Sequence, residues 1–274
     1  MTGKIRRENR NDRAVSEAIG FIIVFGIIIA GIGMVTLYAY PMLVQQQSTS
    51  NEQIMEKNMI VLQNDLKSLA YKTVPYSETS LNVGGGALTV YNMSTASPNA
   101  YFSIYDAQSQ ILNNNGNGAT ATNPLKFYPG SLQYESTGAQ TELSLENGAV
   151  VKKMFAQDGS TMLAEPRWYY DSQTNTAVIY LIGFNTTTND ALGQSGVGTV
   201  RMALVQTNYT VYNLPTSDSV FITYNPNTNT DYSTAWDTYF TGTLGMQPAG
   251  SWYTFQTAPA RVIIYTYEIM IDTV

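Results

Sequence analysis

The sequence contains no cysteine and no histidine. The first absence excludes disulfide staples, cysteine nucleophiles, haem attachment and thiolate metal sites, although it assigns no compartment. The second excludes zinc centres built on imidazole and any Ser-His-Asp relay. Charge is also scarce, at 12% of the 274 residues. Tyr, Asn, Ser and Thr take its place, and a surface made polar by amides and hydroxyls suits a protein that faces out of the cell. There is no phosphate-cradling glycine loop, no metal-ligand spacing and no nucleophile–base pair. These gaps predict a chain that is not an enzyme and needs no cofactor or metal.

What charge there is falls unevenly. Five of the 14 basic residues, Lys4, Arg6, Arg7, Arg10 and Arg13, lie in the first 13 positions. Residues 15–274 hold 9 basic and 18 acidic side chains, a net charge of −9. An acidic body of this kind argues against a nucleic-acid partner, because phosphate must be met by basic surface.

Behind the basic cluster comes a run without charge, Ala18 to Ala39. Its 22 residues rise about 33 Å as a helix, which matches the hydrocarbon core of a bilayer. Basic residues before the run and acidic bulk after it place the N-terminus in the cytoplasm and the body outside. Tyr38 and Tyr40 stand where an interfacial aromatic belt lies. The run exceeds the apolar core of a secretory signal peptide, and Tyr38-Ala39-Tyr40-Pro41 is a poor peptidase site, so the segment is expected to stay in the mature protein. A plain membrane anchor explains all of this. It explains Gly20, Gly26, Ala30, Gly31 and Gly33 less well, and Gly26 with Ala30 forms a small-xxx-small pair that lets helices approach closely.

Pro41 is expected to kink or restart the helix. Beyond it Met55, Met59, Leu62, Leu66 and Leu69 follow one another at spacings of four and three, an amphipathic stripe ending near Lys72. Two arrangements fit: a helix packed throughout on its own domain, or one whose upper half packs while its lower half protrudes. From Val74 the pattern changes to period two. Strands are expected at 87–92, 100–105, 141–145, 177–182, 199–212, 219–224 and 261–272, with turn chemistry at Asn147-Gly148 and Asp158-Gly159. The expected fold class is therefore α+β: a long N-terminal helix, transmembrane and then amphipathic, followed by an antiparallel β-sandwich-like head.

The stretch Asp12-Arg13-Ala14-Val15-Ser16-Glu17-Ala18-Ile19-Gly20, leading into a glycine-interrupted apolar helix, resembles the N-terminus of archaeal type IV pilin-like proteins with a class III signal peptide. The close likeness covers about residues 10–45; the helix-then-strands layout extends it along the chain without identifying the head. The resemblance implies a leader, residues 1–14, cut between Ala14 and Val15 by a membrane-bound prepilin peptidase. It implies an assembly helix over 15–40, an amphipathic continuation over 41–73 and an extracellular head over 74–274. Identical or related subunits, membrane lipid and a pilus-like assembly machinery are the implied partners. An uncut, non-polymerising membrane-anchored surface protein or adhesin is the alternative.

Glu17 stands third in such a mature chain, whereas bacterial pilins carry their glutamate fifth. Two roles are open to it. Cleavage would create an ammonium on Val15, and a neighbour's Glu17 could neutralise it. Unpaired, an acidic or basic side chain costs about 2.5–3.5 kcal/mol at a membrane helix centre. Alternatively the role is local: Ser16 caps the helix and Glu17 meets the positive end of its dipole.

The remaining constellations read more plainly. Asn92-Met-Ser94, Asn185-Thr-Thr187 and Asn208-Tyr-Thr210 are N-glycosylation sequons, no more numerous than composition predicts. Asn225 to Asp231 alternates oxygen-bearing side chains but lacks the glycine and bidentate glutamate of a calcium loop, and reads as a turn. Trp168, Trp236 and Trp252 are expected in the core rather than as sugar-stacking platforms. Glu142 and Glu146 share a strand face with Ser144 and are expected on a solvated edge.

Overall fold

The structure, a computed structural model, describes residues 11–72, 74–93, 100–138, 140–187, 192–215 and 218–273, with the side chains of 11–15 and 273 excluded. Two compact units make up the chain, residues 1–49 and 50–274.

In the first unit, α1 (Asn11–Met34) leads into a π-helical turn at Val35–Ala39 and then into α2 (Tyr40–Tyr71). The π-turn is the chain's response to Pro41. Proline has no N–H for the carbonyl four residues back, and its ring crowds that carbonyl. Widening the turn by one residue relieves the crowding, and the Tyr40 N–H bonds to the Val35 carbonyl instead. The hydroxyl of Thr36 donates to the Ile32 carbonyl at 2.9 Å. Proline therefore neither breaks nor restarts the helix; it is absorbed. The helix Ser16–Tyr71 contains a window of mean hydropathy 2.7, long and apolar enough to cross a membrane.

The second unit begins within α2. Met55, Met59, Leu62, Leu66 and Leu69 are all fully buried. At about 1.5–3 kcal/mol for each such side chain, this stripe dominates the helix's attachment. Polar ties fix its register. Gln63 Nε2 donates to the carbonyls of Gly148 and Glu165 at 2.7 and 2.9 Å. Lys152 Nζ lies 2.6 Å from Glu52 and 2.7 Å from Glu56.

Fourteen strands follow among the described residues, in two sheets. The larger has nine. They are β1 (Tyr76–Tyr91), β4 (Ser131–Ser136), β5 (Thr141–Glu146), β6 (Ala149–Met154), β7 (Ser160–Ala164), β8 (Tyr169–Asp171), β9 (Thr176–Thr186), β10 (Leu192–Asn213) and β14 (Arg261–Thr273). Their spatial order is β7-β6-β5-β4-β1-β10-β14-β9-β8. The smaller sheet, in the order β12-β13-β11-β2-β3, holds β2 (Tyr101–Asp106), β3 (Leu125–Phe127), β11 (Val220–Asn225), β12 (Met246–Ala249) and β13 (Trp252–Phe255).

Alternation explains how the large sheet is covered. On β14, Tyr267, Ile269 and Ile271 join the stripe of α2 in one core. Val262 and Ile264, of opposite parity, join Phe102, Ile104, Val220, Ile222 and, from α3 (Ser233–Thr238), Ala235 and Trp236 in a second. The large sheet is thus sandwiched between α2 and the small sheet with α3. The seven expected strands are all present, and Tyr71 ends the helix one residue before the predicted end. One expectation is corrected: the sheet is mixed, because β14 and β9 pair in parallel from Arg261↔Thr176 to Ile271↔Thr186.

Two irregularities interrupt the large sheet. Between Val83 and Leu88 the β1–β10 register shifts through Gly84-Gly85-Gly86, where a Cβ on Gly86 would sit 2.2 Å from the Glu135 carbonyl oxygen. Strand β10 pairs with β1 only through Leu192–Ala203, and beyond that with β14 alone. Val205, Tyr209 and Val211 are exposed there.

Candidate functional site

Of the residues singled out on the N-terminal helix, Gly20, Gly26, Ala30 and Gly31 are exposed and Gly33 is half-buried. Glu17 is exposed, and so are Ile19, Phe21 and nearly every apolar residue through Val44. A Cβ added to Gly20, Gly26, Gly31 or Gly33 would meet nothing within 4 Å. Among the described residues these glycines therefore have no packing partner, although each costs a helix interior up to about 1 kcal/mol relative to alanine. Gly26, Ala30 and Gly33 follow one another at four and three and share one face. Gly20 and Gly31, eleven residues apart, share another. The backbones of Ala14 and Val15 belong to α1, while their side chains, and residues 1–10 of the leader, lie outside the described residues.

The three sequons differ in access. Asn92 is buried, and its Nδ2 lies 3.3 Å from the Thr186 hydroxyl; Ser94, the third residue of that sequon, lies outside the described residues. Asn185 is half-buried, and its Nδ2 donates to Glu268 at 2.8 Å. Asn208 is exposed on the single-flanked part of β10.

The head holds a polar constellation that sequence reasoning placed wrongly. Glu142, Ser144 and Glu146 on β5 are buried, not on a solvated edge. Their face of the sheet is the one closed by α3 and its flanking loops. Glu146 accepts the indole N–H of Trp236 at 2.7 Å. Burial pushes its carboxyl up to about 7, opposed by that hydrogen bond. The Tyr224 hydroxyl lies near it without meeting the geometry of a hydrogen bond. Glu142 accepts from the hydroxyls of Tyr232 and, at 2.9 Å, Thr230. Burial raises its pKa as well, with a smaller contribution from Glu135. Trp168 and Trp236 lie in the second core, as expected, and Trp252 is half-buried against Tyr105.

Beside Glu142 opens a cavity of about 240 Å³. Sheet register builds its floor. Glu135 on β4 stands opposite Glu142, and Thr89 on β1 stands opposite Gln133. The rim comes from the loop after β11. There Asn227 Oδ1 accepts the backbone N–H groups of Asn229, at 2.7 Å, and of Thr230. The loop is thus the turn that its composition predicted, and it carries Asn227, Asn229 and Thr230 into the cavity wall. No sequence motif marks Gln133 or Glu135; only the pairing of β4 with β1 and β5 brings them to this place. Among the described residues, no group of three or more acidic side chains could hold a metal ion.

The model of a family described as Family of unknown function (DUF7289) matches residues 13–268, taking in the N-terminal helix and the β-rich head together. No curated protein and no solved structure matches the chain.

Proposed function

The chain belongs to the family of unknown function DUF7289, and from that premise we propose that it is a type IV pilin-like subunit of a cell-surface filament. In this reading residues 1–14 are a leader removed at Ala14. The helix from Val15 holds the subunit in the membrane until assembly, and the head faces outward.

The observation that carries the reading is the pairing of exposed apolar surface with glycines that have no packing partner among the described residues. A membrane anchor needs the first and not the second. Subunits packing helix against helix need both, since small residues let backbones approach. The stripe Gly26-Ala30-Gly33 supplies one face for such an approach, and Gly20 with Gly31 another. In a filament the apolar run leaves lipid and is buried again among identical runs, with little net hydrophobic cost. An ammonium on Val15 meeting a neighbour's Glu17 would fix the axial offset between subunits.

Two measurements test this. Sequencing of the native protein's N-terminus is expected to begin at Val15; a start at Met1 or Thr2 refutes processing and leaves an uncut anchor. Electron microscopy of sheared cell surfaces is expected to show filaments containing this chain. In Glu17→Gln those filaments should be scarcer or change their helical rise; unchanged yield and rise refute the intermolecular pair.

A further inference from the structure

The cavity beside Glu142 has no part in helix assembly, and the floor that lines it is costly. Glu135 and Glu142 stand directly opposite each other on adjacent strands, an arrangement of like charges that destabilises a sheet. Core packing does not require Glu135, which is exposed. Glu142 is also held in place: both its oxygens accept hydrogen bonds, from Tyr232 and from Thr230.

We propose that this cavity binds one pyranose ring, as a free monosaccharide or as the terminal sugar of a glycan. Four features support that ligand class. The volume, about 240 Å³, lies just below the roughly 300–1,000 Å³ of drug-sized sites and suits a single small ring. The walls mix groups that only accept, the carboxylates of Glu135 and Glu142, with amides that donate as well, Gln133 and Asn229. Neighbouring hydroxyls of a sugar do both in turn, donating to carboxylate and accepting from amide. Tyr91 and Phe155, 37% and 46% exposed, offer ring faces at the cavity for the apolar C–H face of a sugar. Finally, the Asn227 turn fixes the wall before any ligand arrives, so little ordering entropy is lost on binding. A bare cation would use the carboxylates but gain nothing from the aromatic rings or amide donors.

The test uses the full chain in a detergent without a sugar headgroup. Saturation-transfer NMR with methyl glycosides of glucose, galactose, mannose and N-acetylglucosamine is expected to show transfer to at least one, with millimolar affinity. Glu135→Ala and Asn229→Ala replace exposed side chains, so both variants should fold, as native fluorescence of the buried tryptophans would show. Each is expected to weaken binding by about tenfold or more. Absence of transfer across the panel overturns the proposal, and so does transfer that both variants leave unchanged. Calcium binding lost in Glu135→Ala, with no sugar bound, would assign the cavity to a cation and overturn it equally. None of these outcomes depends on whether the helix assembles.

Discussion

Glu146 should make this protein less stable as pH rises toward neutrality. Its carboxyl is 2% exposed and titrates at about 7 in the folded state, against an ordinary 4.5. Between those values the folded chain holds a proton that the unfolded chain has released. Stability linked to this group is therefore complete below pH 4.5, falls as pH rises, and is fully lost above pH 7. The difference of about 2.5 pH units corresponds to about 3 kcal/mol. For a domain the size of residues 50–274 that is a fall in Tm of about 6–12 °C. The absence of histidine leaves few competitors in the window. Asp218, raised to about 6 by burial and by the neighbouring Asp106, is one, and Glu142, raised by burial, is another; both remain in Glu146→Gln, so the difference between parent and variant isolates Glu146. The assay is thermal unfolding followed by tryptophan fluorescence from pH 5 to 8, since Trp236 contacts Glu146 directly. In Glu146→Gln the amide oxygen still accepts the indole N–H, but the group no longer titrates. The variant should be much flatter than the parent between pH 5 and 7. Equal slopes in the two proteins, or a parent that gains stability with pH, would refute the reasoning.

Three further outcomes follow from the same coordinates. Leu62→Ala, at a fully buried position of α2, should cost about 2–5 kcal/mol in urea unfolding through lost burial and the cavity left behind. Lys152→Met removes the cation shared by Glu52 and Glu56; a loss of about 1–3 kcal/mol at pH 7 is expected in the same assay. Glycopeptide mapping of the native protein should find sugar on Asn208 before Asn185 and none on Asn92, whose side chain is buried on its sheet.

The elements legible from sequence were those whose periodicity survives on one exposed or one buried face. The α2 stripe is one case: five apolar residues at helical spacing, all buried where expected. Strand β14 is another, with Tyr267, Ile269 and Ile271 marking one side. Strand β5 shows why the rest was hidden. Thr-Glu-Leu-Ser-Leu-Glu alternates, and alternation reads as one wet face and one dry face. Here both faces of the sheet are covered, so the acidic face is buried too. The groups that make this tolerable, Thr230, Tyr232 and Trp236, lie more than 80 residues away in sequence. The cavity was illegible for the same reason, since its walls come from three strands, the turn after β6 and a distant loop. The short strands β3, β8, β12 and β13 carry too few residues for a period of two to register. The parallel pairing of β9 with β14 depends on which strands become neighbours, a property of topology that no local pattern encodes.

The uncovered flank of β10 has a practical consequence. From Leu204 to Asn213 it carries no charge, glycine or proline, the residues that usually keep sheet borders from sticking to one another. Trimming away the greasy N-terminus would therefore not guarantee a well-behaved soluble fragment, because this border offers a second adhesive seam. A bulky sugar chain at Asn208, midway along it, would act as a spacer. Material made in a host that leaves that asparagine bare should clump at concentrations where the decorated protein stays dispersed.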